Sequence, residues 1–272
     1  MMVSFLVENN INNLKDENDV ILILDIGNSG LEDAFKFETA MRLLPLPVQA
    51  SVLSKKSQGD KIRTLCNRIL QLYGCLVLSG VQKRNDLKFK RGKYGKPIMD
   101  SQTAHLAFSM SNGEEHVCMY IKKNVDNDSA KPIDVGIDIA SVKDLQKSEE
   151  LELYKDVFSE AEYTTLLRCP KEDINKLFAQ YWSLKESYTK YLGSGLNIDL
   201  KQINTGIVNI NQSETIRDID NESIKFQSFW IPPHKEEIIS ICHKNDSLNN
   251  GHPPKVYKIL FNTLLDHLEH YS

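Results

Sequence analysis

Trp182-Ser183-Leu184-Lys185-Glu186-Ser187-Tyr188-Thr189-Lys190 lies in a long helical pattern, downstream of an apolar strand ending in Val135-Gly136-Ile137-Asp138. On a helix of 3.6 residues per turn, Tyr181, Leu184, Tyr188 and Tyr191 form one apolar stripe, the expected core face. Glu186 and Lys190, one turn apart, lie on the opposite side with Phe178 and Trp182 flanking them. Apolar residues on two faces predict a helix covered on both, so Glu186 and Lys190 are expected to face an internal cleft. A charge removed from water needs a partner, a metal or a ligand. Two plainer readings stand beside this one: Glu186 and Lys190 as a surface i,i+4 ion pair, and Asp138 as an aspartate capping the turn after its strand.

Working outward, Ile133 to Ile139 reads as a strand, and helical patterns follow over Leu151 to Phe158, Ser159 to Leu167 and Ile174 to Leu192. Ser159 with Glu162 three residues later is a capping-box signature, and Gly193-Ser194-Gly195 ends the long helix. Upstream, Val20 to Ile26 is an apolar strand, Phe35 to Leu44 is amphipathic, and Val48 to Gly74 is helical with a break near Gly59. Strand-like runs occupy Leu106 to Ser111 and Val117 to Lys122, and Val256 to Tyr271 has the spacing of a terminal amphipathic helix. The polar segment Asn124 to Lys131 is the best candidate boundary. This divides the chain into 1–130, 131–248 and a helical tail at 249–272. Intermixed helices and strands give an α/β (α+β) class.

Composition narrows the function. The chain has 272 residues, 41% of them hydrophobic, which is enough for ordinary cores. A net charge of −4 argues against a general nucleic-acid binder. Five scattered cysteines without a CxxC pair point to a reducing compartment without a disulfide framework. No run approaches about 18 uninterrupted apolar residues, so no membrane span is expected, and Met1 to Asn13 lacks the pattern of a secretory signal. A cytoplasmic protein is the expectation.

Asp138 and Glu186 are two hard oxygen donors of the kind that hold magnesium beside substrate phosphates. Lys185, Lys190, Lys96 and Arg63 are the candidate anion ligands. Around Lys96, Gly92 and Gly95 permit close approach of a ligand, and Pro97 fixes the exit of the turn. One further motif, Leu24-Asp25-Ile26-Gly27-Asn28-Ser29-Gly30, resembles the first phosphate-binding turn of actin-like kinases, but no second phosphate loop or adenosine loop follows it.

Taken in order, Tyr94-Gly95-Lys96-Pro97, Phe108-Ser109-Met110-Ser111, Val135-Gly136-Ile137-Asp138-Ile139, Phe158-Ser159-Glu160-Ala161-Glu162 and Trp182 to Lys190 resemble the Sfp-type 4′-phosphopantetheinyl transferases. The resemblance covers roughly Leu44 to Ile210, and overall texture is similar to the fungal members that activate aminoadipate reductase in lysine synthesis. It implies two similar halves related by pseudo-twofold symmetry, with coenzyme A in the cleft between them. The implied reaction moves the phosphopantetheine arm of coenzyme A onto a serine of an apo carrier domain and releases adenosine 3′,5′-bisphosphate.

By the same resemblance Asp138 and Glu186 are magnesium ligands, Glu186 is also the candidate base, and Lys190 lies at the pyrophosphate with Lys185 assisting. Lys96, Pro97, Ser111, Asn112 and Arg63 would meet the adenine and 3′-phosphate end. Ala140 stands where many bacterial members carry an acid, so two protein carboxylates are expected rather than three. Asn112 replaces a common histidine, leaving the 3′-phosphate to Lys96 and Arg63. A monomer is implied, since one chain contains both halves. The competing reading is a coenzyme A or carrier-domain binding protein that kept the fold and lost turnover.

Overall fold

A computed structural model describes residues 11–100, 106–123, 134–195, 197–206, 208, 210, 212–245 and 253–271. The polar segment Asn124 to Lys131, Leu196 and the start of the chain to residue 10 lie outside the described residues. The elements, in chain order, are β1 (Asp19–Asp25), α1 (Ala34–Met41), α2 (Leu46–Leu53), α3 (Gln58–Ser79), β2 (Phe89–Arg91), β3 (Pro97–Met99), β4 (Leu106–Asn112), β5 (His116–Lys123) and β6 (Val135–Ser141). They continue as α4 (Glu160–Arg168), α5 (Ile174–Leu192), β7 (Gln212–Ile219), β8 (Glu222–Trp230), β9 (Glu237–Lys244), β10 (Lys255–Ile259) and α6 (Phe261–Glu269). This is the expected mixture of helix and sheet.

Two compact units emerge, one from Met1–Lys90, Pro97–Ile133 and Pro253–Ser272, the other from Arg91–Lys96 and Asp134–His252. In the first, the sheet order is β10-β1-β5-β4. Val20 to Leu24 of β1 are at most 1% exposed, because the strand is central: β10 pairs with it in parallel and β5 antiparallel. A strand buried on both faces reads as a continuous apolar run. Helix α3 covers this sheet with Ile62, Leu65, Ile69, Leu72, Tyr73 and Leu76. Ser57 caps its start by accepting from the Asp60 N–H, and Gly80, with φ +71°, closes its end.

The first unit corrects one expectation and accounts for one motif. Val256 to Tyr271 is not one helix: Lys255–Ile259 is the parallel partner of β1, and only Phe261–Glu269 is helical. Tyr257, Phe261, Leu264 and Leu268 do share helical spacing, but β1 offers an open edge that the β-branched and aromatic start of this segment fills. The kinase-like turn is also explained locally. Asp25 Oδ1 accepts from the Asn28 N–H (3.1 Å) and Oδ2 from Asn28 Nδ2 (2.8 Å), so the carboxylate closes its own turn.

In the second unit β6-β9-β8-β7 is fully antiparallel. Ser159 and Glu162 form the predicted capping box at the start of α4, and Gly193 (φ +64°) ends α5. The helical pattern of Leu151 to Phe158 becomes a 3₁₀ turn over Ser148–Tyr154. Among the described residues no helix is long and apolar enough to cross a membrane.

Candidate active site

Alternation along β6 places Gly136, Asp138 and Ala140 on one face and Val135, Ile137 and Ile139 on the other. Helix α5 lies against the glycine face. A Cβ on Gly136 would fall 1.8 Å from the Ser187 carbonyl oxygen and 2.7 Å from the Tyr191 nitrogen, both backbone atoms. Only glycine lets the helix settle this close to the strand. Small polar side chains continue the close approach: Ser183 Oγ and Ser240 Oγ are 2.6 Å apart, and Gln180 Nε2 donates to Ser228 Oγ at 2.7 Å.

Two residues beyond Gly136 on the same face, Asp138 therefore points at the helix. Lys190 Nζ donates to Asp138 Oδ1 at 2.7 Å. The aspartate is 6% exposed, and the lysine side chain keeps 28% of its surface open. Glu186 stands one helical turn before Lys190. Its Oε1 is buried and has no hydrogen-bond partner among the described residues. Burial pushes the Glu186 carboxyl above its usual range, and the neighbouring Asp138 charge adds to the rise against the opposing pull of Lys190. Glu186 Oε1 thus leaves one carboxylate oxygen unsatisfied among the described residues. Hard, oxygen-only donors in that state suit a small divalent cation.

The second apolar face is present as well. Phe178 is buried; Trp182 is half-buried, stacks on Phe178 (6.0 Å, 14°) and meets Tyr154 edge-on (5.8 Å, 85°). Trp182 also packs with Ala140, Ala179, Trp230 and Ile238.

Two lysines expected at phosphate have other engagements. Lys185 is fully buried, with its Nζ 2.8 Å from Glu162 Oε2, 2.8 Å from the Leu200 carbonyl and bonded to the Ile203 carbonyl. Three acceptors exhaust its three protons, so no donor remains for a ligand. Lys96 Nζ donates to the carbonyls of Val135 (3.1 Å) and Tyr191 (3.3 Å) and lies 3.5 Å from Asp134 Oδ1. It ties the first residue of β6 to the C-terminal turn of α5, where a cation also suits the helix dipole. Burial lowers its pKa, with Asp134 opposing.

The remaining expected residues belong to the other unit. Arg63, on α3, pairs with Asp60 (3.0 Å) and has a buried Nε without a partner among the described residues. Ser111 is buried and Asn112 exposed at the end of β4, and Pro97 opens β3. Sequence reasoning gave Glu162 only its helix-capping role and gave none to Gln180, Ser183 or Ser187. The spacing of Ser183, Ser187 and Tyr191 opposite a strand glycine was the available signal for the close seam.

Known proteins match over the same residues. The family model described as the 4′-phosphopantetheinyl transferase superfamily matches residues 134–242, from the strand bearing Asp138 into β9. An L-aminoadipate-semialdehyde dehydrogenase-phosphopantetheinyl transferase of Saccharomyces cerevisiae is 41% identical over 253 residues, covering 91% of this chain and 89% of that protein. Its namesake in Candida glabrata is 39% identical over 234 residues, 84% of each chain. The 4′-phosphopantetheinyl transferase Sfp of Bacillus subtilis is 36% identical over 118 residues, 43% of this chain and 46% of that protein.

Proposed function

Because the chain belongs to the 4′-phosphopantetheinyl transferase superfamily and is itself a phosphopantetheinyl transferase, we propose that its acceptor is a serine on the apo carrier domain of an aminoadipate reductase. The names of the two fungal relatives support that choice of acceptor, and lysine synthesis is the process it would serve. Coenzyme A is the donor.

The acceptor hydroxyl attacks the phosphorus that carries the pantetheine arm. A new P–O bond forms and the P–O bond to adenosine 3′,5′-bisphosphate breaks. Such a transfer is chiefly a matter of positioning and charge neutralisation. Glu186, or a water it holds, takes the serine proton. Lys190, held by Asp138 and still partly open, offsets charge on the departing phosphate. Asp138 and Glu186 would hold a magnesium ion, since both are oxygen donors and one oxygen lacks any partner among the described residues. When bound, the ion supplies charge neutralisation at the diphosphate. A cytoplasmic, monomeric working form completes the proposal, supported on the first point by five cysteines none of which is in a disulfide.

The observation that carries the reading is Glu186: a carboxylate beside Asp138 and Lys190, desolvated, with an oxygen left unbonded. Incubating the protein with coenzyme A, magnesium and an apo carrier domain, and weighing the carrier, tests it directly. Wild-type protein adds one phosphopantetheine, whereas Glu186→Gln slows transfer by about 10²–10⁴-fold without changing the far-UV spectrum. A variant at wild-type rate removes Glu186 from catalysis, and wild-type protein that adds no mass to a cognate carrier is a binding protein only.

A further inference from the structure

The motif Phe158 to Glu162 takes no part in the chemistry above, yet it ends in a carboxylate only 1% exposed. Four donors converge on it. Oε1 accepts from the Thr205 N–H and the Thr205 hydroxyl, both at 2.8 Å. Oε2 accepts from the Ser159 N–H at 2.8 Å and from Lys185 Nζ at 2.8 Å. The other two Lys185 protons go to the carbonyls of Leu200 and Ile203. One buried ion pair therefore joins the start of α4, the middle of α5 and the connection that runs from Asp199 to Gly206. From β7, Arg217 Nε donates to the Thr205 carbonyl at 3.3 Å. Its guanidinium lies over Gly206 so closely that a Cβ there would fall 1.6 Å from Nη2.

A buried ion pair is weak evidence of stability, because apolar residues of similar volume often serve the fold as well. Its best use is to fix geometry. Lys185 and Glu186 are neighbours on α5, about 100° apart around the axis. Whatever fixes the rotation of Lys185 also fixes the direction of Glu186. We propose that Glu162 is a positioning residue for the transfer reaction: through Lys185 it locks the rotation of α5 and the seat of the 199–206 connection, and so aims Glu186 toward Asp138. The inference rests on the reading of Glu186 as the base.

All four partners of Glu162 are donors, so a glutamine amide in either orientation turns its own N–H groups toward two of them. The test uses the full chain with coenzyme A, magnesium and apo carrier domain, comparing Glu162→Gln, Thr205→Val and Glu186→Gln with wild type, each rate normalised to the folded fraction. Glu162→Gln is expected to lose about 10- to 100-fold in kcat while KM for coenzyme A stays within about twofold, the signature of a misaimed group rather than a lost binding contact. Hydrogen exchange at the Thr205 amide should accelerate in the same variant. Thr205→Val removes one of the four donors with little change of shape, and a loss of about three- to tenfold in kcat is expected.

Folded Glu162→Gln with wild-type kcat overturns the proposal, as does a loss confined to KM. Should Glu162→Gln not fold, wild-type kcat in Thr205→Val overturns it equally. Glu186→Gln separates the two claims. If it alone is inactive, the base stands and the clamp falls; if it turns over normally, the assignment of the base falls on its own.

Discussion

In one unit α3 packs on its sheet over Gly74; in the other α5 packs on β6 over Gly136. The two glycines face different neighbours. A Cβ on Gly74 would meet side-chain ends, Ile121 Cδ1 at 2.7 Å and Met119 Sδ at 2.8 Å, whereas one on Gly136 would strike the Ser187 carbonyl oxygen at 1.8 Å. Leu65, Ile69 and Leu76 of α3 share an apolar cluster with Leu22, Met119 and Ile121 of its sheet. Along α5 run Gln180 to Ser228, Ser183 to Ser240 and Lys190 to Asp138, all hydrogen-bonded across the seam. Apolar packing asks for matched volume and tolerates repacking; a satisfied polar seam also fixes rotation and register. The unit that carries Asp138 and Glu186 is the one with the polar seam.

Alanine at the two glycines is the sharpest way to break that contrast. Gly136→Ala is expected to cost more than about 4 kcal/mol, the range reserved for changes the backbone cannot absorb, and to abolish transfer with it. Gly74→Ala should cost far less: overpacking of about 1–3 kcal/mol, partly offset by up to about 1 kcal/mol of helix propensity. Denaturant unfolding of both variants decides the matter, and equal losses would show that the two seams are alike.

A smaller effect is expected at Lys96, which fastens the end of the polar seam. Lys96→Ala leaves the Val135 and Tyr191 carbonyls without their charged donor and should destabilise by about 2 kcal/mol. If its ammonium serves the seam, affinities for coenzyme A and dephospho-coenzyme A change in equal proportion. A selective loss for coenzyme A would return Lys96 to the 3′-phosphate.

Much of the site could be read from residue order. Gly136 and Asp138 share a strand face by period two, and Glu186 and Lys190 share a helix face by period 3.6, so their meeting needed only the helix to cover that strand. Lys185 turns into the core for a reason the same period exposes. It lies four residues after Tyr181 and three before Tyr188, on the buried stripe, and a lysine there must find a carboxylate. Its partner Glu162 sits 23 positions upstream in another helix, and no local pattern announces such a pairing. The C-terminal strand was hidden for a similar cause: its partner β1 lies at the far end of the chain, and pairing at that distance leaves no periodic trace.

The smallest expected effect concerns Glu186 itself, where function and stability should oppose each other. Its folded carboxyl titrates above its usual range, through burial first and Asp138 second. The ionised form therefore penalises the fold. That penalty is absent below the unfolded value of about 4.3, grows as pH rises toward the folded value, and is complete above it. Glu186→Gln carries no such charge. At neutral pH the inactive variant should be more stable than wild type by about 1 kcal/mol, the usual scale of a stability–activity trade-off, and the two should converge near pH 4. Magnesium should raise the melting temperature of the wild type and leave the variant nearly unmoved, since a ligand stabilises only the state that binds it. A variant less stable than wild type at neutral pH, in the absence of metal, would mean that Glu186 is satisfied where it stands and is not waiting for a cation.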